Sequence, residues 1–274
     1  MYEYKQQLSN QGLWIRLIRI HPKHAESGIL SSSMEFAQLD QKQKPEYYAL
    51  SYTWGDESIT TPILVDGAEF EVTVNLEVAL SQMRDISVEK LWVDAICINQ
   101  KDKEEKGSQI PKMGVIYLMA IGVIAWLGKE ADDSSRALEI LKSTAGQIIL
   151  DPGYDLLQEH QEVAALLNRP YFQRVWIRQE ISKAKYVFVM CGAQWMHWRT
   201  FADALRTTRK TERILWSIDL YSRSERHSKT DIKLFNALIW TRFALARNPL
   251  DKVYGLLGLC SDGDEIVRFP DYPE

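Results

Sequence analysis

At 274 residues, 46% hydrophobic and 26% charged, the chain has the make-up of a globular protein with one large core or two modest ones, not of a disordered segment. Its 33 Lys and Arg against 37 Asp and Glu leave a net charge of −4, which gives no global basic field to recruit nucleic acid. No apolar run approaches the ~20 residues that cross a bilayer. The start, MYEYKQQLSNQ, is polar and unlike a signal peptide, and two of the three cysteines (Cys97, Cys191, Cys260) end strand-like apolar runs, which suits reduced core thiols. The expectation is a cytoplasmic protein with neither membrane nor nucleic acid as a partner.

In chain order, residues 14–20 (WIRLIRI) alternate apolar and basic side chains as a half-solvated strand does, and 34–39 (MEFAQL) is the candidate partner across the loop HPKHAESG. YYALSYTWG at 47–55 reads as a buried strand ended by a Trp-Gly turn. Asp66-Gly67 between two β-rich runs predicts a hairpin, and Asn75 reads as the cap of a helix with Leu76, Ala79, Leu80 and Met83 on one face. LWVDAIC predicts a second buried strand within 90–97, in which Asp94 needs a partner such as a backbone amide or Arg174. A helix over about 103–120 should start late or kink near Pro111.

VIAWLG is the third strand, with a helix behind the acidic ADDSS. A short helix is expected at 156–167, another from Arg169-Pro170 to about Lys183, and a strand at 186–192. The remainder reads as helical, over 198–207, 211–222, 231–247 and 251–259. Strand, polar loop and helix recur, which is βαβ grammar. The fold expected is α/β, a single domain with a parallel-sheet core over about 45–192, an N-terminal β extension and a helical extension over about 193–274. Its parallel strands are 47–53, 90–97 and 122–127, with 186–191 in the sheet or packed closely on it.

Five scattered histidines and no Cys/His spacing argue against a metal, and neither GLLG nor GKEADDSS has the frame of a phosphate loop. Ligands of doubly wound sheets bind beyond the carboxyl ends of the strands, so the loops 53–56, 98–102 and 127–130 should bring Trp54, Asp56, Asn99, Gln100, Asp102 and Trp126 to one rim. In QRVWIRQEIS, Trp176 and Glu180 lie about 40° apart on one helical face, which sets a carboxylate at the border of an apolar side. A second Trp-x-x-x-Glu, Trp126 to Glu130, spans Gly128 at a strand end and cannot hold helical geometry.

YYALSYTWGD (47–56), NLEVALSQMR (75–84), LWVDAICINQKD (91–102), MGVIYLMA (113–120), VIAWLG (123–128), RPYFQRVWIRQEI (169–181), the FVMCG strand end and NPLDKVYGLLGL (248–259) together resemble the fungal heterokaryon incompatibility (HET) domain, in its order and over most of 14–259. The chain departs from that pattern at Lys106, Gly107 and Pro111, and at Asn248-Pro249-Leu250 in place of Asp-Pro-Arg.

The resemblance implies a cell-death effector of fungal self/non-self recognition, distantly similar to TIR domains with flavodoxin-like folds. Enzymatic TIR domains cleave NAD+ with a helix-borne glutamate, often in a Trp-x-x-x-Glu context. Carried onto this chain, it implies an NAD+ glycohydrolase with Glu180 as the catalytic carboxylate, and a substrate site of Ser51, Trp54, Gly55, Asp56, Asp94, Asn99, Gln100, Trp126, Arg174 and Trp176. NAD+ would be substrate, with no cofactor. Self-association and an upstream NLR-type or incompatibility partner are further implications. The alternative is a non-catalytic module that signals by oligomerising.

Overall fold

Nine strands form one mixed sheet in a computed structural model that describes residues 2–9, 12–23, 28–42, 44–147, 154–206 and 232–267. The helix expected at 211–222 lies outside the described residues. The strands are β1 (Trp14–Ile20), β2 (Ser31–Gln38), β3 (Tyr48–Tyr52), β4 (Thr60–Val65), β5 (Ala68–Thr73), β6 (Lys90–Trp92), β7 (Gly122–Trp126), β8 (Val187–Cys191) and β9 (Gln194–His197), ordered β5-β4-β2-β1-β6-β3-β7-β8-β9.

The centre, β6-β3-β7-β8, is parallel throughout. In chain order these are the second, first, third and fourth parallel strands, the order of flavodoxin-like sheets, whose ligand crevice opens where the winding reverses beside the first strand. The parallel core expected from the sequence is therefore present. β7 is buried along its whole length, as a central parallel strand must be. The N-terminal strands extend the same sheet beyond β6: β1 pairs antiparallel with β6 and β2, and β4-β5 is a hairpin. Its turn holds Asp66 and Gly67 at φ 51° and 79°, the left-handed pair that a two-residue hairpin requires.

The described helices are α1 (Val74–Asp85), α2 (Asp94–Cys97), α3 (Lys103–Gln109), α4 (Met113–Met119), α5 (Ser134–Thr144), α6 (Leu156–Glu159), α7 (Gln161–Leu167), α8 (Ile177–Lys183), α9 (Trp198–Leu205), α10 (Leu234–Trp240), α11 (Asp251–Leu257) and a last turn at Gly263–Ile266. The break expected at Pro111 is a 3-10 turn, Ile110–Lys112, between α3 and α4. α1 buries Leu76, Ala79, Leu80 and Met83, the face its spacing predicts. Val175, Ile232, Leu234, Ala237, Ala244, Leu256, Leu257 and Leu259 form a second, smaller core around α10 and α11.

Three local expectations are corrected. The strand expected over 90–97 ends at Trp92, and Asp94–Cys97 is a single helical turn in which the amides of Ile96 and Cys97 donate to Val93 O. A short run that is apolar on both faces except for Asp94 does not distinguish a buried strand from a buried helix by periodicity. The helix expected from 170 to 183 is a 3-10 turn, Pro170–Gln173, then an extended Arg174, then α8. Asn75 does not cap α1: Thr73 holds that position, and Asn75 lies inside the first turn with its side chain turned to the strand ends.

Candidate active site

β3 and α8 build the site. Ser51 is the fourth residue of β3, and its hydroxyl donates to Glu180 Oε2. Because that hydroxyl has one proton, the 2.8 Å contact between Ser51 Oγ and the Tyr171 phenol must be donated by Tyr171. A relay thus runs from Tyr171 through Ser51 to Glu180, and all three residues are buried. The amide of Glu180 donates to Trp176 O at 3.2 Å, so the Trp-x-x-x-Glu spacing is one helical turn.

Arg174 lies over the carboxylate. Its Nη1 is 3.8 Å from Glu180 Oε2 and donates to Tyr52 O, at the end of β3. Only 1% of Glu180 is exposed, so the acid is sealed beneath Arg174 rather than open to a cleft. Burial pushes the Glu180 carboxyl up to about 7, against the opposing pull of Arg174 and the Ser51 hydroxyl, and the Asp94 charge adds to the rise. Burial also raises Asp94, while Arg174, the Trp54 indole and the Ala95 amide favour its ionised form. Two carboxylates therefore act on one guanidinium.

Asp94 accepts from Trp54 Nε1 at 3.0 Å and from the Ala95 amide at 2.7 Å. Gln100 braces it from behind, with Nε2 donating to Asp94 O at 2.8 Å. Trp54 remains half-buried.

The other residues expected at the site have different work. Trp126 is 1% exposed and sealed in the core; its Nε1 donates to Asn75 Oδ1 at 3.1 Å, so it offers no face to a ligand. It is the last residue of β7, which is buried at every position and flanked by a paired strand on each side, so it lies within the sheet and not on the rim loop. Asp56 is exposed and turned onto its own loop, accepting from the Ser58 amide and hydroxyl at 2.9 and 2.6 Å, contacts that lower its carboxyl below the usual range. Gly55 is at φ 81° and supplies the turn after Trp54. Asn99 accepts from the Lys101 amide at 3.2 Å and shapes the turn after α2. Asp102 caps α3 through the Glu105 amide. Trp176 lies against Gly255 of α11, whose added Cβ would meet the indole at 3.3 Å.

Sequence reasoning missed Tyr52, Tyr171 and Asn75. Asn75 ties Thr53 O at 2.5 Å to the Trp126 indole and so fixes the ends of β3 and β7 together. Arg178, on the same helix as Glu180, is 4% exposed; its Nη2 donates to Phe172 O at 3.3 Å, its Nε and Nη1 have no hydrogen-bond partner, and burial pushes the guanidinium down to about 10. Among the described residues, no three His, Cys, Asp or Glu are grouped to hold a metal, and no helix is long and apolar enough to cross a membrane.

The site thus defines an α/β domain with a buried acid at the reversal point of a parallel sheet. Residues 47–180 match the family described as heterokaryon incompatibility protein (HET). It is similar to heterokaryon incompatibility protein 6, OR allele, of Neurospora crassa: 28% identical over 345 residues, covering 97% of this chain and 50% of that protein. The chain therefore spans half the length of this curated relative. No solved structure matches it.

Proposed function

We propose that this HET domain acts in heterokaryon incompatibility by breaking the nicotinamide–ribose bond of NAD+, with Glu180 as the catalytic carboxylate. The observation that carries the reading is the Ser51–Glu180 hydrogen bond: it holds one carboxylate, in a low-dielectric setting, at the end of the first parallel strand. Nicotinamide in NAD+ is already a cation, so the C1′–N1 bond breaks with its electron pair leaving on a neutral ring and no general acid is required. Water then adds to C1′, giving ADP-ribose and a proton. The charge to be stabilised is an oxocarbenium-like ribose, and an ionised Glu180 opposes it more strongly in the transition state than in the ground state. Trp54, half-exposed beside Asp94, is the stacking surface for a base.

Nicotinamide release by wild type and Glu180→Gln, measured at high protein concentration so that any self-associated form is populated, tests this reading. Loss of about 3 kcal/mol of stabilisation, a hundredfold or more in rate, is expected for the variant. Equal release from both proteins removes Glu180 from the chemistry.

A second reading rests on a different observation. α10 leaves Phe235 72% exposed and Ile239 43% exposed, one turn apart, while Glu180 is sealed. A non-catalytic module that signals by assembly through such a face would kill cells equally with Glu180→Gln and without loss of NAD+.

A further inference from the structure

We infer that residues 244–247 form a strap that locks Arg174 over Glu180, and that release of this strap is what opens the site. Leu245 is inserted beside the extended Arg174: its carbonyl accepts from the Val175 amide at 2.9 Å, its amide donates to Gln173 O at 2.6 Å, and the two chains form an isolated parallel bridge at Arg174 and Leu245. Two residues on, Arg247 ion-pairs with Glu57, in the loop that follows β3. One short segment therefore grips both the backbone that carries Arg174 and the loop at the end of the strand that carries Ser51.

The side chain of Arg174 completes the closure. Its guanidinium donates to Tyr52 O, stands 3.8 Å from Glu180, and is drawn by both Glu180 and Asp94. These two carboxylates already hold a cation that belongs to the chain. A cationic ribosyl-pyridinium reaches Glu180 only by replacing that guanidinium, so Arg174 and the substrate compete for one set of charges.

The strap is built to be released at one end. Beyond it, α11 is fixed to α8, with the Gly258 amide donating to Gln179 Oε1 at 3.0 Å and Gly255 pressed on Trp176. The opposite fastening is weak: Arg247 is 76% exposed and Glu57 35%, and ion pairs so placed contribute little to stability. Leu245 itself is 57% exposed, so the strap runs over the protein surface. A partner or assembly contact that takes Arg247 would therefore loosen the strap without disturbing the core.

The test uses Arg247→Glu, which turns the attraction to Glu57 into repulsion, and the exchanged pair Glu57→Arg with Arg247→Glu, which restores it. Neither residue touches Glu180. Amide hydrogen exchange is followed over 173–181 and 244–248, and nicotinamide release is measured on the same proteins. Exchange over both segments should quicken about two- to fivefold in Arg247→Glu, the shift that loss of an exposed ion pair allows, and return to the wild-type rate in the exchanged pair. Unchanged exchange over 173–181 in Arg247→Glu, or faster exchange that the exchanged pair does not reverse, would overturn the strap. The consequence for activity rests on the NAD+ reading: faster exchange together with faster nicotinamide release supports both, whereas faster exchange with none keeps the strap and discards NAD+ cleavage.

Discussion

Ser51 and Glu180, 129 residues apart in the chain, meet in one hydrogen bond, with the serine hydroxyl donating to Oε2 of the acid. The contact joins the first parallel strand to the helix of the Trp-x-x-x-Glu motif, and it favours the ionised form of an acid that burial otherwise drives toward protonation. Ser51→Ala removes that donor and leaves the Tyr171 phenol without its acceptor. The expected result is a loss of about 1–2 kcal/mol of stability by denaturant unfolding and a further rise of the Glu180 carboxyl. The rising limb of nicotinamide release against pH should move to higher pH, and an unmoved limb would show that Ser51 does not act on the acid.

The buried acid also sets a stability profile. With the Glu180 carboxyl raised from 4.5 to about 7 in the folded protein, the folded state holds the proton more tightly than the unfolded chain. Its contribution to stability is full below pH ~4.5 and is lost as pH rises through about 7. Glu180→Gln has no such proton to lose. The two proteins should have similar unfolding free energies near pH 4.5, with the variant more stable by about 3 kcal/mol at pH 8. A variant less stable than wild type at pH 8 would contradict the assignment of burial as the dominant cause.

Arg178 gives a prediction independent of any reaction. Its guanidinium is buried, and among its polar atoms only Nη2 has a hydrogen-bond partner, the Phe172 carbonyl. A buried charge without a counter-charge costs more than an apolar chain of similar length. Arg178→Met should raise the melting temperature while nicotinamide release is retained. A drop of more than about 1 kcal/mol would mean that the guanidinium is better compensated than these contacts show.

Much of this was legible in the sequence, and the failures share a cause. The four parallel strands, the Asp66-Gly67 turn, the break at Pro111 and the inner face of α1 follow from local spacing and backbone chemistry, which a short window contains. The Trp-x-x-x-Glu turn is likewise local. What the sequence did not contain is which way each rim residue turns. Trp126 ends one parallel strand and Trp54 follows another, yet one is sealed against Asn75 and the other half-open beside Asp94, because that choice depends on residues 51 and 40 positions away. The closure of Glu180 depends on Leu245, more than 60 residues further along, and no periodicity in α8 reports it.

Glu105 shows the same long-range logic and yields the strongest stability prediction. The sequence places it beside Lys106, where the HET pattern has arginine, but its partner is Arg16 of β1: Nη1 donates to Oε1 at 2.6 Å and Nη2 to Oε2 at 2.9 Å. Both side chains are nearly inaccessible, at 1% and 5% exposed. The fork has further bonds, Arg16 donating to Cys97 O and Gln6 O, and Oε1 accepting from the Asn99 amide at 2.7 Å. Removing one member of such a pair leaves a buried charge uncompensated, so Glu105→Ala should cost about 3–5 kcal/mol. Glu105→Gln keeps an acceptor for Arg16 or Asn99 and should lose less. The second effect is local: without the Asn99 anchor, the turn that carries Gln100 loosens and the brace on Asp94 weakens. Amide exchange over 98–102 in Glu105→Gln should therefore be faster than in wild type while exchange over β7 is unchanged. Equal protection of both segments would show that Glu105 serves β1 alone.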